Sequence, residues 1–103
     1  MPKKKKAPAP ITVTGLTWYR SRQDFDRLKA MAKDPEKLPV SYSTWLQDAM
    51  RVRQELERSG ITVVKAYLDP VEFPTWCLAQ GIDMDVMARM EFAREFASRT
   101  ETF

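Results

Sequence analysis

Two groups of side chains in this sequence suit contact with a nucleic acid. One is the run Lys3, Lys4, Lys5 and Lys6; the other is Thr62 with Lys65 inside the segment Ile61–Leu68. Clustered ammonium groups neutralise phosphates and displace counterions, so a lysine run binds weakly, without regard to base sequence, and loses its grip in salt. A threonine and a lysine on a strand can instead reach base edges. The basic character is confined to the first group. Of 17 basic residues, four lie in the run, which leaves 13 against 14 acidic residues and a net charge of −1 from residue 11 onward. The same run also reads as a solubilising arm with no specific partner.

Other chemistry is thinly supplied. The chain has no histidine, so a serine or cysteine nucleophile has no imidazole base. One cysteine, Cys77, and no histidine exclude the usual zinc ligand sets. Cys77 falls late in a helical segment, where the negative helix end disfavours a thiolate, so it reads as an inert packing residue. Asp83 and Asp85 resemble a metal pair, but residues two apart on a helix point in different directions. Most other carboxylates sit at helix starts (Asp24, Asp69, Glu72) or at i, i+4 spacing from an arginine: Arg22–Asp26, Arg51–Glu55, Arg53–Glu57, Asp85–Arg89 and Glu95–Arg99. With Gly15, Gly60 and Gly81 as its only glycines, the chain lacks a phosphate-cradling loop. Trp18, Trp45 and Trp76, with Tyr19, Tyr42 and Tyr67, suit the core of a small domain better than a ligand cleft. No catalytic, metal or cofactor residue is assigned, and the expectation is that the protein is not an enzyme.

The positioning elements follow from periodicity and capping. Residues 1–10 hold three prolines and four lysines and lack an apolar core-former beyond Met1, so they read as a disordered basic tail before one globular domain at 11–103. Ile11–Tyr19 is strand-like, weakened or bulged at Gly15. Ser21 opens a first helix whose apolar stripe is Phe25, Leu28 and Met31, and Asp34-Pro35 closes it. Ser43 or Thr44 caps a second helix, and Gly60 ends it with Ile61 and Leu56 at the positions of a Schellman stop. Ile61–Leu68 is the second strand, with neither face clearly polar. Asp69-Pro70-Val71-Glu72 starts a third helix, interrupted by Pro74 and stopped at Gly81. Asp83 caps the fourth, with Val86, Met90, Ala93 and Ala97 along one stripe. The fold class is α+β in the order β-α-α-β-α-α, and if each helix pair is a hairpin the two strands run antiparallel. Helices must cover such a sheet, because two strands alone are marginal.

Two resemblances add to this. The segment 61–99, with strand, Asp-Pro, helix, glycine and capped helix, resembles ribbon-helix-helix repressors, which would imply a strand ribbon in the DNA major groove. It departs from them in a short first helix and in a strand with few polar groups beyond Thr62 and Lys65. The pattern Tyr42-x-x-Trp45-Leu46, Gly60, Asp69-Pro70-x-Glu72-Phe73-x-x-Trp76-Cys77 and Ala88-Arg89-x-x-Phe92-Ala93 resembles a group of small uncharacterised bacterial proteins. That resemblance implies no activity, substrate or cofactor. Together these readings give a non-enzymatic interaction module of unknown function, with an unidentified protein partner or a homodimer formed through the second strand. Nucleic-acid binding through the lysine tail or the 61–99 unit is the alternative. With no apolar run long enough to span a bilayer and no secretory signal, the expected setting is cytoplasmic and away from membranes.

Overall fold

A computed structural model describes the backbone of residues 12–101 and the side chains through Arg99. The tail at 1–10, including Lys3, Lys4, Lys5 and Lys6, lies outside the described residues. The order is β1 (Val13–Trp18), α1 (Arg22–Met31), a 3-10 turn (Pro35–Lys37), α2 (Tyr42–Arg58), β2 (Thr62–Tyr67), α3 (Glu72–Gln80) and α4 (Val86–Glu101). Four helices and a two-stranded sheet confirm the mixed α+β class. The strands are parallel, however, with Val13 opposite Thr62 and Trp18 opposite Tyr67.

The parallel direction comes from the long connection between α1 and α2. A helical hairpin brings the end of one helix to the start of the next across a loop of about two to five residues. Here both helices start at the same place. Arg22 Nη2 donates to Ser43 Oγ at 3.4 Å, its guanidinium lies 5.7 Å from the Tyr42 ring centroid, and Phe25 meets Tyr42 and Trp45 at 6.2 and 6.3 Å. The segment 32–41 carries the chain back to that point, held by Lys29 Nζ donating to the Pro39 carbonyl at 2.8 Å. α2 therefore serves as the return arm of a parallel crossover, delivering β2 beside the beginning of β1.

Capping sets where the helices begin. Ser21 Oγ accepts from the Asp24 amide at 3.1 Å, as its position predicts. The cap of α2 is Ser41, whose Oγ accepts from the Thr44 amide at 3.2 Å, rather than Ser43 or Thr44. In the turn leading into α3, Asp69 accepts from the amides of Val71 and Glu72, both at 2.8 Å, and those bonds hold its carboxyl below the usual carboxylate range. Pro74 falls in the first turn of α3, where missing a donor costs little, so it neither splits nor stops the helix. Asp85, not Asp83, caps α4, accepting from the Ala88 amide at 3.0 Å. Gly60 stops α2 as predicted: its amide bonds the Glu57 carbonyl and the Ile61 amide bonds that of Leu56, both at 3.0 Å, with φ of 89° at the glycine.

The core joins the end of β1 to α1 and α2. Tyr19, Phe25 and Trp45 are buried, and Tyr19 stands edge-on to both Phe25 (5.1 Å) and Trp45 (4.9 Å). Such pairs each add roughly 0.5–1.5 kcal/mol beyond area burial. Phe73, Trp76 and Phe92 form a second cluster between α3 and α4. No helix among the described residues is long and apolar enough to cross a membrane.

Candidate functional site

Gly15 decides the shape of the sheet's surroundings. It is not a bulge, because the register runs through it unbroken, Gly15 opposite Val64. A Cβ built there would lie 2.1 Å from the Ala93 carbonyl oxygen and 3.2 Å from the Ala97 Cβ. The α4 backbone thus rests directly on β1, through the small side chains Ala93 and Ala97. Thr17 points to the same face, and its Oγ1 donates to the Arg89 carbonyl at 3.3 Å. Thr17 beside Arg89 and Gly15 beside Ala93 mean that α4 runs antiparallel to β1. Leu16 and Trp18 point to the opposite face, where Trp45 of α2 meets Trp18 edge-on at 5.1 Å.

Between these two helices the outer edge of β1 has no partner strand among the described residues. In the parallel ladder Thr62 donates to the Thr12 carbonyl at 2.8 Å and Leu68 to that of Trp18 at 2.9 Å. The even-numbered residues of β1 therefore turn their backbone groups toward β2. Val13, Gly15 and Thr17 turn theirs outward, where they meet no backbone partner among the described residues. A groove of about 790 Å³ runs along this edge, within the range of ligand sites. Its floor is Val13–Thr17, one wall is Trp45, Asp48, Ala49 and Val52 of α2, and the other includes Met90, Ala93, Arg94 and Ala97 of α4. Trp45 thus belongs both to the core and to the groove.

The groove is mainly apolar with one charge on each wall. Asp48 pairs with Arg51 at 3.6 Å, and Arg94 Nε donates to Glu91 at 3.1 Å. The Arg94 hydrogen bond lowers the pKa of Glu91 and raises that of Arg94 itself. Both pairs are exposed, so exchanging either partner for a ligand group costs little.

A buried ion pair fixes the α4 wall. Asp34 accepts from Arg89 Nη1 and Nη2 at 3.0 and 3.2 Å and from the Val86 amide at 2.8 Å. The Arg89 hydrogen bond is the main cause of a carboxyl pKa below the usual range, opposed by burial. The i, i+4 spacing pairs Arg89 with Asp85, but Asp85 is occupied as a cap and Arg89 turns inward to Asp34. Lys33 adds a second tie, its amide donating to the Met84 carbonyl at 2.8 Å and its Nζ meeting Asp83 at 2.9 Å. Tyr19, close to this pair, has its phenol pushed up to about 12 chiefly by burial.

Thr62 and Lys65 do not come together. Thr62 is exposed on the α4 side, whereas Lys65 Nζ lies on the other face, 4.4 Å from the Trp18 ring centroid. Nor does β2 supply the antiparallel ribbon that the 61–99 resemblance implies, since it pairs in parallel with β1 of its own chain. Cys77 is buried and burial pushes its thiol up, in keeping with a packing role. Among the described residues no cluster of three His, Cys, Asp or Glu side chains suits a metal. Sequence places Val13, Val52 and Met90 on apolar strand and helix faces but assigns neither them nor Arg94 to a site. The signal was the pairing of Gly15 with the alanine stripe of α4, which marks close helix-on-strand contact.

Comparison with curated proteins and with solved structures returned no match. A family model matches nearly the whole chain, residues 3–103, and the chain belongs to that family, described as a domain of unknown function, DUF8829.

Proposed function

We propose that this protein is a non-enzymatic interaction module whose docking surface is the groove along the outer edge of β1. One observation carries the reading: a strand edge with outward backbone donors and acceptors lies in an apolar groove between two helices. Unpaired strand edges are templates for another polypeptide, and proteins usually cover or charge them when they are not used. Here α2 and α4 flank the edge and leave a groove between them. The docking edge is assigned to β1 rather than to β2 because the groove runs along β1.

The test is selection of random-sequence peptides on the full chain, followed by binding to Val52→Asp and Met90→Asp. Both positions line the groove, and Met90 is 61% exposed, so the second variant keeps its fold. Selected peptides are expected to lose at least tenfold in affinity on both variants. Failure to enrich any peptide, or equal binding to the variants, overturns the reading. Nucleic-acid binding is the second reading, favoured by the cations Arg20 and Lys65 stacked at 4.4 Å on Tyr67 and Trp18. Fluorescence anisotropy across a salt series on wild type and Lys65→Ala tests it; binding unchanged by the substitution rules out this patch.

A further inference from the structure

Resting on the groove reading, we infer that its occupant is one extended segment of a different polypeptide, added as a third strand beside β1, and not a second copy of this chain. The position of α4 separates the two. A helix with its side chains is about 10–12 Å across. Because α4 rests on Gly15, it overhangs the edge of β1 by about 5 Å, close to one strand spacing of about 4.8 Å. A single strand fits beneath that overhang. A second copy pairing antiparallel about a two-fold axis brings its own α4 onto the same face, one strand spacing away. Packed helices need about 8–10 Å between axes, so the two α4 helices collide.

The backbone and the walls specify the occupant's chemistry. Val13, Gly15 and Thr17 present outward amides and carbonyls at every second residue, the repeat a strand requires. Side chains of the added strand alternate between the α4 wall and the α2 wall. Each wall is apolar with one charge, Arg94 on α4 and Asp48 on α2. The matching segment is therefore apolar and β-branched, with an acidic side chain turned toward α4 and a basic one toward α2.

The probe is a seven-residue peptide alternating valine and threonine, with one glutamate and one lysine on opposite faces, titrated into the full-length protein. Amide exchange at Val13, Gly15 and Thr17 is expected to slow at least tenfold on binding. N-methylation of the peptide is expected to weaken binding at least tenfold at alternate residues and little at those between. Arg94→Glu is expected to weaken binding about threefold to tenfold, with recovery when the glutamate of the peptide is replaced by lysine. Light scattering is expected to give one protein chain per peptide. Absence of binding at about 1 mM, unprotected amides, or insensitivity to N-methylation overturns strand addition. If selected peptides still require Val52 and Met90 in that case, the groove reading stands without it. Protection of the three amides in a peptide-free dimer overturns the choice of occupant.

Discussion

Substituting Gly15 by alanine tests the contact on which the groove depends. The β1 backbone at Gly15 is ordinary extended strand, so alanine fits its conformation. If nothing else mattered, Gly15→Ala should stabilise the protein by about 0.4–1 kcal/mol through the unfolded chain. The structure reverses that sign. The new methyl group lies 2.1 Å from the Ala93 carbonyl oxygen, whereas ordinary contact begins at 3.4 Å, so α4 must retreat by about 1.3 Å. The obstacle is backbone and cannot swing aside. Overpacking a tight interface costs about 1–3 kcal/mol, and the rigid neighbour places this case near the top. After the unfolded-state gain is subtracted, the net loss is about 2 kcal/mol, a large part of the roughly 5–15 kcal/mol that holds a domain folded. In urea, with a slope near 2 kcal/mol/M, the midpoint falls by about 1 M. Gly60→Ala is the control: nothing lies within 4 Å of its Cβ, so its cost of roughly 1 kcal/mol comes only from the left-handed φ of 89°. A Gly15→Ala protein as stable as wild type refutes the close docking of α4, and with it the overhang above the β1 edge.

Asp34→Asn leaves Arg89 buried without a counter-charge and should cost about 3 kcal/mol at neutral pH. Because the folded carboxyl pKa is depressed, the native contribution is complete above the ordinary value near 3.9 and fades as pH falls below it; the urea midpoints of wild type and variant should therefore converge in acid. Tyr19 behaves in the opposite sense. Its folded pKa of about 12 exceeds the ordinary 10.0, so its neutral form favours folding below pH 10, and up to roughly 2–3 kcal/mol is lost as pH rises through 12. Ultraviolet titration of wild type and Tyr19→Phe should differ by one ionisation near pH 12; a difference near pH 10 instead contradicts the burial. Ser41→Ala should cost about 1 kcal/mol by thermal melting, and Ser43→Ala much less, reversing the order expected if Ser43 were the cap.

What could be read in advance was local. Ser21, Asp69 and the Gly60–Ile61 stop act where their spacing puts them, because a cap and a Schellman turn need only a few neighbouring residues. Local signals fail where two residues compete for one role. Ser41, Ser43 and Thr44 all suit a cap, and the chain uses the earliest, which lengthens α2. Asp83 and Asp85 both suit the start of α4, and Lys33, fifty residues away in sequence, takes Asp83. The i, i+4 spacing offers Arg89 the local partner Asp85, yet its bonds run to Asp34, 55 residues earlier. Charge pairing at i, i+4 cannot foresee a buried partner brought in by a distant turn.

The strand direction and the groove, neither legible in the sequence, share a cause. A tight α1–α2 hairpin would have made the sheet antiparallel. The prolines at 35 and 39 instead mark a connection from 32 to 41, too long for that hairpin, and Asp34 within it is tied to the start of α4. The connection lets α2 return along one face of β1 while its anchor holds α4 against the other. Gly15 then becomes the place where a helix backbone meets a strand rather than a defect in the strand. With α2 and α4 on opposite faces and β2 on one edge, the other edge of β1 has no partner strand among the described residues. The long loop thus sets the parallel order, and the parallel order places the open edge between two helical walls.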